Sequence, residues 1–263
     1  MSNATEQTPV RCAIQDGVAT LTFNRPEAMN ALDAPTARAF LAACEQLRDA
    51  PSLRAVLLRG EGKAFMAGGD LRSMHDDPAA VADDLIAPMH AGLQRLAELP
   101  VPVVAAVQGA VAGAGISVML AADVVLAAER TRFNLAYAQV GGSGDLGVTW
   151  ALPRAVGLQR ALALMLLCDT VPAEEALAIG LVQRLVPAGA LQQEAAALAA
   201  RLAAGPTRAY GHIRRLLRQS FEQPFAAQLA AEACAFADCT ATADFLEGTG
   251  AFLARRAPRF TGH

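Results

Sequence analysis

The stretch "PVVAAVQGAVAGAGISVMLAADVVLAAERTRF", residues 102–133, decides the fold class. It opens on an apolar, β-rich run (102–109) and passes through the glycine-rich turn "GAVAGAG". An apolar helix to Ala122 follows, then a second β-rich run, "DVVLAAE" (123–129). Short apolar runs closed by glycine are the pattern of strands buried on both faces. Strand, turn, helix and strand in that order make a right-handed crossover and hence a mainly parallel sheet. The chain reads as an α/β protein.

Upstream, "RAVLLRG" (54–60) reads as another buried strand, and "VRCAIQDGVATLTFN" (10–24) as a hairpin turning at Asp16-Gly17. Asp-Gly favours the tight turns that join two antiparallel strands. Asp33 is placed to cap a helix running to about Asp49. A polar, proline-marked segment (72–88) leads to a helix near 89–98. From 158 onward helix follows helix (158–168, 172–179, 190–204, 206–220, 225–237 and 242–255), interrupted by one short strand at 181–187. Residues 1–200 are thus expected to form the core. Residues 201–263 are expected to form a helical C-terminal region, packed on the core or on another subunit.

Composition narrows the function classes. The 263 residues are 54% hydrophobic and 18% charged, ample for a proper core. A net charge of −3 argues against nucleic acid as the main partner, since phosphate binding needs a basic surface. The 5 cysteines are scattered and never in a CxxC, which reads as reduced thiols rather than disulfides or a zinc site. The 4 histidines show no metal-ligand spacing, so no metal is expected. The N-terminus is polar and no apolar run reaches membrane-spanning length, giving the expectation of a cytoplasmic protein without membrane insertion. Neither GxGxxG nor a terminal GK[ST] occurs in the glycine-rich turns, which argues against a nucleotide cofactor.

Two glycine-rich turns each follow a strand and open a helix: "GKAFMAGGDL" (62–71) and "GAVAGAGISVML" (109–120). A helix start leaves unpaired backbone N–H groups, and small residues let a ligand oxygen approach them. Side by side, two such turns would supply an oxyanion hole. Small residues also serve tight turns and helix packing, and spacing alone leaves both readings standing.

Taken in order, these turns and their surroundings resemble the crotonase (enoyl-CoA hydratase/isomerase) superfamily. The resemblance runs through "TFNRPEAMNAL" (22–32), "KAFMAGGDL" (63–71), the 102–133 stretch and "LPRAVGLQRALALML" (152–166). It continues through "EEALAIGLVQRLVP" (174–187) and "FLEGTGAFLARRAPRFTG" (245–262), covering nearly the whole chain. It implies a crotonase-like spiral of ββα units with a helical C-terminal oligomerisation region, assembled as a trimer or a dimer of trimers. It also implies an acyl-coenzyme A thioester as substrate, with no separate cofactor. The oxyanion donors would be the backbone N–H groups of Gly69 and Ala114. Binding of substrate and CoA would fall to Ala67, Gly68, Asp70, Leu71, Tyr137 and Arg255, with Asp70 also bracing its turn and Arg255 or Arg256 reaching the CoA phosphates.

The acids depart from the hydratase pattern. Hydratases of this family carry two glutamates, and their positions here hold Ser117 and Tyr137. Neither hydroxyl is a competent base near neutral pH. Asp145, in "GGSGDLG", stands where single-aspartate enoyl-CoA isomerases carry their carboxylate, and one carboxylate suffices to move a proton from C2 to C4. Read locally, Asp145 equally suits an N-cap ahead of "LGVTWAL". Three alternatives stand beside the isomerase: a hydratase-like enzyme, a non-catalytic CoA-ester-binding scaffold, and an aryl-CoA dehalogenase-like enzyme. In the last, His90 would be an accessory residue and Tyr137 replaces the tryptophan of that group.

Overall fold

A computed structural model describes residues 8–263. Strands β1 (Val10–Gln15) and β2 (Val18–Phe23) form the opening hairpin. Asp16 and Gly17 turn it with φ of 50° and 78°, the left-handed pair that a two-residue hairpin turn requires. The chain then winds in repeated circuits. It passes Leu32 into α1 (Ala34–Arg48), which Asp33 caps by accepting the Thr36 N–H, and returns as β3 (Ala55–Gly60). It then passes Met66 and Gly69 into α2 (Leu71–Asp76), a π-helical turn (Val81–Ile86) and α3 (Ala87–Glu98). The next circuit is β4 (Val103–Val107), β5 (Ala110–Ala112) and α4 (Ala114–Leu120). After it come β6 (Val124–Ala128), β7 (Arg132–Asn134) and α5 (Val148–Val156). Then follow α6 (Leu158–Leu167), β8 (Val171–Pro172), α7 (Ala173–Ala178), β9 (Arg184–Val186) and α8 (Leu191–Ala203).

Each circuit lays one strand in a 6-stranded sheet of order β1-β2-β3-β4-β6-β9, parallel except for the hairpin. Each also lays a short extended piece in a second layer. That layer holds the sheet β5-β7-β8 and the single bridges Met66↔Val111 and Leu32↔Gly69. This is the expected crotonase-like ββα spiral. The central strands are buried on both faces. Val103, Ala105 and Val107 of β4 join the core beneath α1 and α3, while Val104 and Ala106 face Leu191, Ala195 and Leu198 of α8. That is why these strands read as unbroken apolar runs rather than as alternation.

Several expectations shift. The polar segment 72–88 is mostly helical, and the second glycine-rich turn contains β5. The helical stretch begins at Val148, ten residues before the expected start, because α5 accommodates Pro153 in its interior. The expected boundary at 200/201 falls in the last turn of α8.

Beyond Gly205, α9 (Thr207–Gln219), α10 (Phe225–Thr240) and α11 (Ala243–Leu253) form the helical C-terminal region. Arg214 of α9 is buried and anchors it, donating to the Asp123 carboxylate and to the Leu96 and Ala97 carbonyls. All five cysteines are free thiols. Among the described residues no helix is long and apolar enough to cross a membrane, and no cluster of potential metal ligands occurs.

Candidate active site

The first glycine-rich turn is held from behind. Leu32 donates its N–H to the Gly68 carbonyl, and Asp70 donates its N–H to the Leu32 carbonyl, both at 2.8 Å. In such a bridge the intervening Gly69 N–H points to the opposite side, and it has no backbone acceptor among the described residues. Asp70 caps α2 by accepting the Ser73 N–H at 3.3 Å, and its other oxygen lies 3.4 Å from the Arg25 guanidinium.

The second turn reaches the same place from α4. Gly113 adopts φ 45°, a left-handed conformation available to glycine at little cost, and donates its N–H to the Asn134 carbonyl at 2.9 Å. Its carbonyl accepts the Ile116 N–H at 3.0 Å, which starts α4. Ala114 is the first helical residue, so its N–H has no partner within the helix and none elsewhere among the described residues. A Cβ built on Gly113 would lie 3.7 Å from the Gly68 Cα, so the two turns lie side by side.

The third component is the loop "GGSGDLG". Leu146 holds a positive φ of 52°, uncommon for a non-glycine residue, while its side chain is buried in the core. That anchor leaves neighbouring Asp145 only partly buried and lining the cleft. Gly147, not Asp145, occupies the N-cap of α5, so the local capping reading fails. The Asp145 carboxylate instead accepts the Tyr137 hydroxyl at 2.6 Å. Ser117, on α4, lies 2.9 Å from the same hydroxyl and 3.1 Å from the Asp145 carbonyl. Burial, and then the adjacent Asp145 charge, push the Tyr137 phenol well above its ordinary range, so it stays protonated.

These parts line one cleft of about 110 Å³. Ala67, Gly68, Gly69, Leu71, Ala114, Tyr137 and Asp145, all anticipated from the sequence, border it. Asp145 is the one carboxylate in its lining, and Tyr137 the one other titratable group. Asp70 sits behind the turn rather than in the wall. Two anticipated residues stand apart. His90 is exposed on α3, and Arg255 is exposed beyond the end of α11; neither borders the cleft. Leu32, Met74, Leu85 and Val140 complete an apolar wall that sequence reasoning missed. Met74 lies on α2 and Leu85 on the separate π-helical turn, so no single helical period in the polar 72–88 segment marks the pair.

The model of the enoyl-CoA hydratase/isomerase family matches residues 13–263. A Rhodobacter capsulatus protein named probable enoyl-CoA hydratase is 40% identical over 253 residues, covering 96% of this chain and 98% of that protein. The 1,2-epoxyphenylacetyl-CoA isomerase of Escherichia coli is 38% identical over 254 residues, covering 95% and 97%. Among solved structures, an enoyl-CoA hydratase from Polaromonas sp. JS666 superposes with a TM-score of 0.89 at 31% identity, covering 96% of this chain and 99% of that one.

Proposed function

We propose that this chain, which belongs to the enoyl-CoA hydratase/isomerase family, is an acyl-CoA double-bond isomerase with Asp145 as its acid–base group. The observation that carries this reading is the single carboxylate in a cleft walled by two unengaged N–H groups, those of Gly69 and Ala114.

The substrate is a 3-enoyl-CoA thioester whose carbonyl oxygen sits between the two N–H groups. Asp145 takes the proton from C2, and the C–H electron pair flows through the carbonyl carbon onto the oxygen, giving a dienolate. The same carboxyl group returns the proton at C4, the double bond moves to C2–C3, and the oxygen's charge is released. Each backbone donor aimed at the developing charge contributes about 3–4 kcal/mol of transition-state stabilisation. No cofactor enters, and coenzyme A belongs to the substrate. Ala67, Gly68 and Leu71 flank its path, and Arg255 meets its phosphates outside the acyl cleft.

Hydration is disfavoured because it needs a second acid–base group holding a water. The positions that would supply it carry Ser117 and Tyr137, which are hydrogen-bonded to each other at 2.9 Å. The dehalogenase-like reading loses its accessory base, since His90 faces solvent. We further propose a homo-oligomer, a trimer or a dimer of trimers. Large apolar side chains stand exposed on α6 (Leu158, Leu166) and on the C-terminal helices (Phe225, Phe236, Phe252), more than a lone soluble chain ordinarily shows.

The test is conversion of 3-enoyl-CoA to 2-enoyl-CoA esters of short, medium and aryl-substituted chains, followed by absorbance, with Asp145→Ala beside the wild type. Loss of turnover with retained ester binding supports the reading, and unchanged turnover sinks it. Binding of every ester without conversion by the wild type would favour the non-catalytic scaffold.

A further inference from the structure

The two hydroxyls at the vacated acid positions form a directed chain that ends on Asp145. Tyr137 Oη lies 2.6 Å from Asp145 Oδ1 and 2.9 Å from Ser117 Oγ. A carboxylate only accepts, so the single phenolic proton goes to Oδ1. The phenol oxygen is then left as an acceptor for the Ser117 hydroxyl, whose proton is shared with the Asp145 carbonyl 3.1 Å away. Ser117 is 3% exposed and sits in the middle of α4, so the far end of this chain is fixed in the core. At the near end Oδ1 is occupied, and Oδ2 has no hydrogen-bond partner among the described residues. The other titratable and charged groups of the chain lie outside the cleft wall, which leaves Tyr137 as the one such group facing the carboxylate there.

We propose that Tyr137, braced by Ser117, is a positioning residue that fixes the Asp145 carboxylate by one oxygen and presents Oδ2 as the proton-carrying atom. The proposal rests on the isomerase reading, in which Asp145 moves the proton. It assigns a task to the two residues that replace the hydratase acids. A carboxylate held by one oxygen cannot rotate away from C2 after the first transfer. Oδ2 therefore stays over the face of the dienolate through both transfers.

The step is tested without knowing the natural acyl group, by exchange of the C2 hydrogens of butanoyl-CoA and phenylacetyl-CoA in deuterium oxide, followed by NMR. The C2–H bond breaks toward Oδ2, the carboxyl hydrogen exchanges with solvent, and deuterium returns to C2. Tyr137→Phe is expected to slow exchange about 10- to 100-fold, the loss typical of one hydrogen bond to a charged group. KM should stay within about threefold, since the variant leaves both turns in place, a range set by the same context dependence. Ser117→Ala should slow exchange less, and the double variant should be no slower than Tyr137→Phe alone, because Ser117 acts through the phenol. Wild-type exchange in Tyr137→Phe, with Asp145→Ala inactive, would overturn the positioning role alone. Fully additive losses in the double variant would overturn the chain. Wild-type exchange in Asp145→Ala would instead overturn the isomerase reading on which the proposal stands.

Discussion

The Arg25 guanidinium lies 2.9 Å from the Asp33 carboxylate and 3.4 Å from that of Asp70, joining the caps of α1 and α2. It also donates to the Ala31 carbonyl at 2.6 Å. Gly69 immediately precedes Asp70, so this bracket helps set the direction of one of the two N–H groups proposed to hold the thioester oxygen. Arg25→Met is expected to lower kcat/KM about tenfold and stability by about 1–2 kcal/mol, the cost of losing charge-assisted bonds in a partly exposed setting. Arg25→Lys should recover only part of this, since an ammonium cannot span both carboxylates as a planar fork does. Steady-state kinetics and urea titration of both variants check it.

Ala114 is a position where the second proposed donor can be removed by substitution. It is the first residue of α4, a position where proline is well tolerated because its N–H has no partner within the helix. Ala114→Pro removes that N–H and places ring carbon where the oxygen would sit. The expected outcome is a fold of near wild-type stability with kcat lowered about 10²- to 10³-fold, the loss typical of one oxyanion donor. Thermal denaturation beside single-turnover kinetics separates the two effects. A variant with wild-type kcat would remove Ala114 from the site.

How legible this architecture is depends on the length scale of the signal. The Asp16-Gly17 hairpin, the Asp33 cap and strands β3, β4 and β6 are local patterns of four or more residues, and they read correctly. β5 and β7 are three residues each, and β8 two, too short for a period of two to register. Pro153 disguised α5, because a proline within a helix usually marks a break. At the site, the residue identities were visible but their connection was not. Ser117, Tyr137 and Asp145 come from three different elements, and only the folded spiral brings them within hydrogen-bond reach. Asp145 looked like a cap because aspartate before a helix usually is one. Gly147 and the core-anchored Leu146 turn it away from that duty.

Gly115 tests the packing that keeps the two turns together. A Cβ there would collide with the Met66 carbonyl, a backbone atom that cannot step aside without moving the bridge to Val111. Gly115→Ala would remove a helix-interior glycine, which in an open helix stabilises by up to about 1 kcal/mol. The overlap outweighs that gain, and a net loss of about 1–3 kcal/mol is expected. Urea titration measures it. A neutral or stabilising result would mean that α4 and the first turn are free to separate.

The C-terminal tail carries a distinct acid response. Glu247 accepts from Arg256 at 2.6 and 2.7 Å and from the Arg259 N–H at 2.7 Å. The Arg256 guanidinium first, and then that N–H, hold its carboxyl down to about 2. Because the folded value lies below the ordinary one of about 4.3, the unfolded chain binds more protons between them, and stability rises with pH across that window. The contribution is therefore complete above the ordinary value and is lost as pH falls toward 2. Glu247→Gln keeps the shape of the side chain but cannot ionise. The Tm difference between wild type and Glu247→Gln should hold steady above about pH 5 and shrink toward zero in more acidic buffer, a dependence set by that linkage. A difference that stayed constant through the acid range would show that the tail's grip on α11 does not depend on the Glu247 charge.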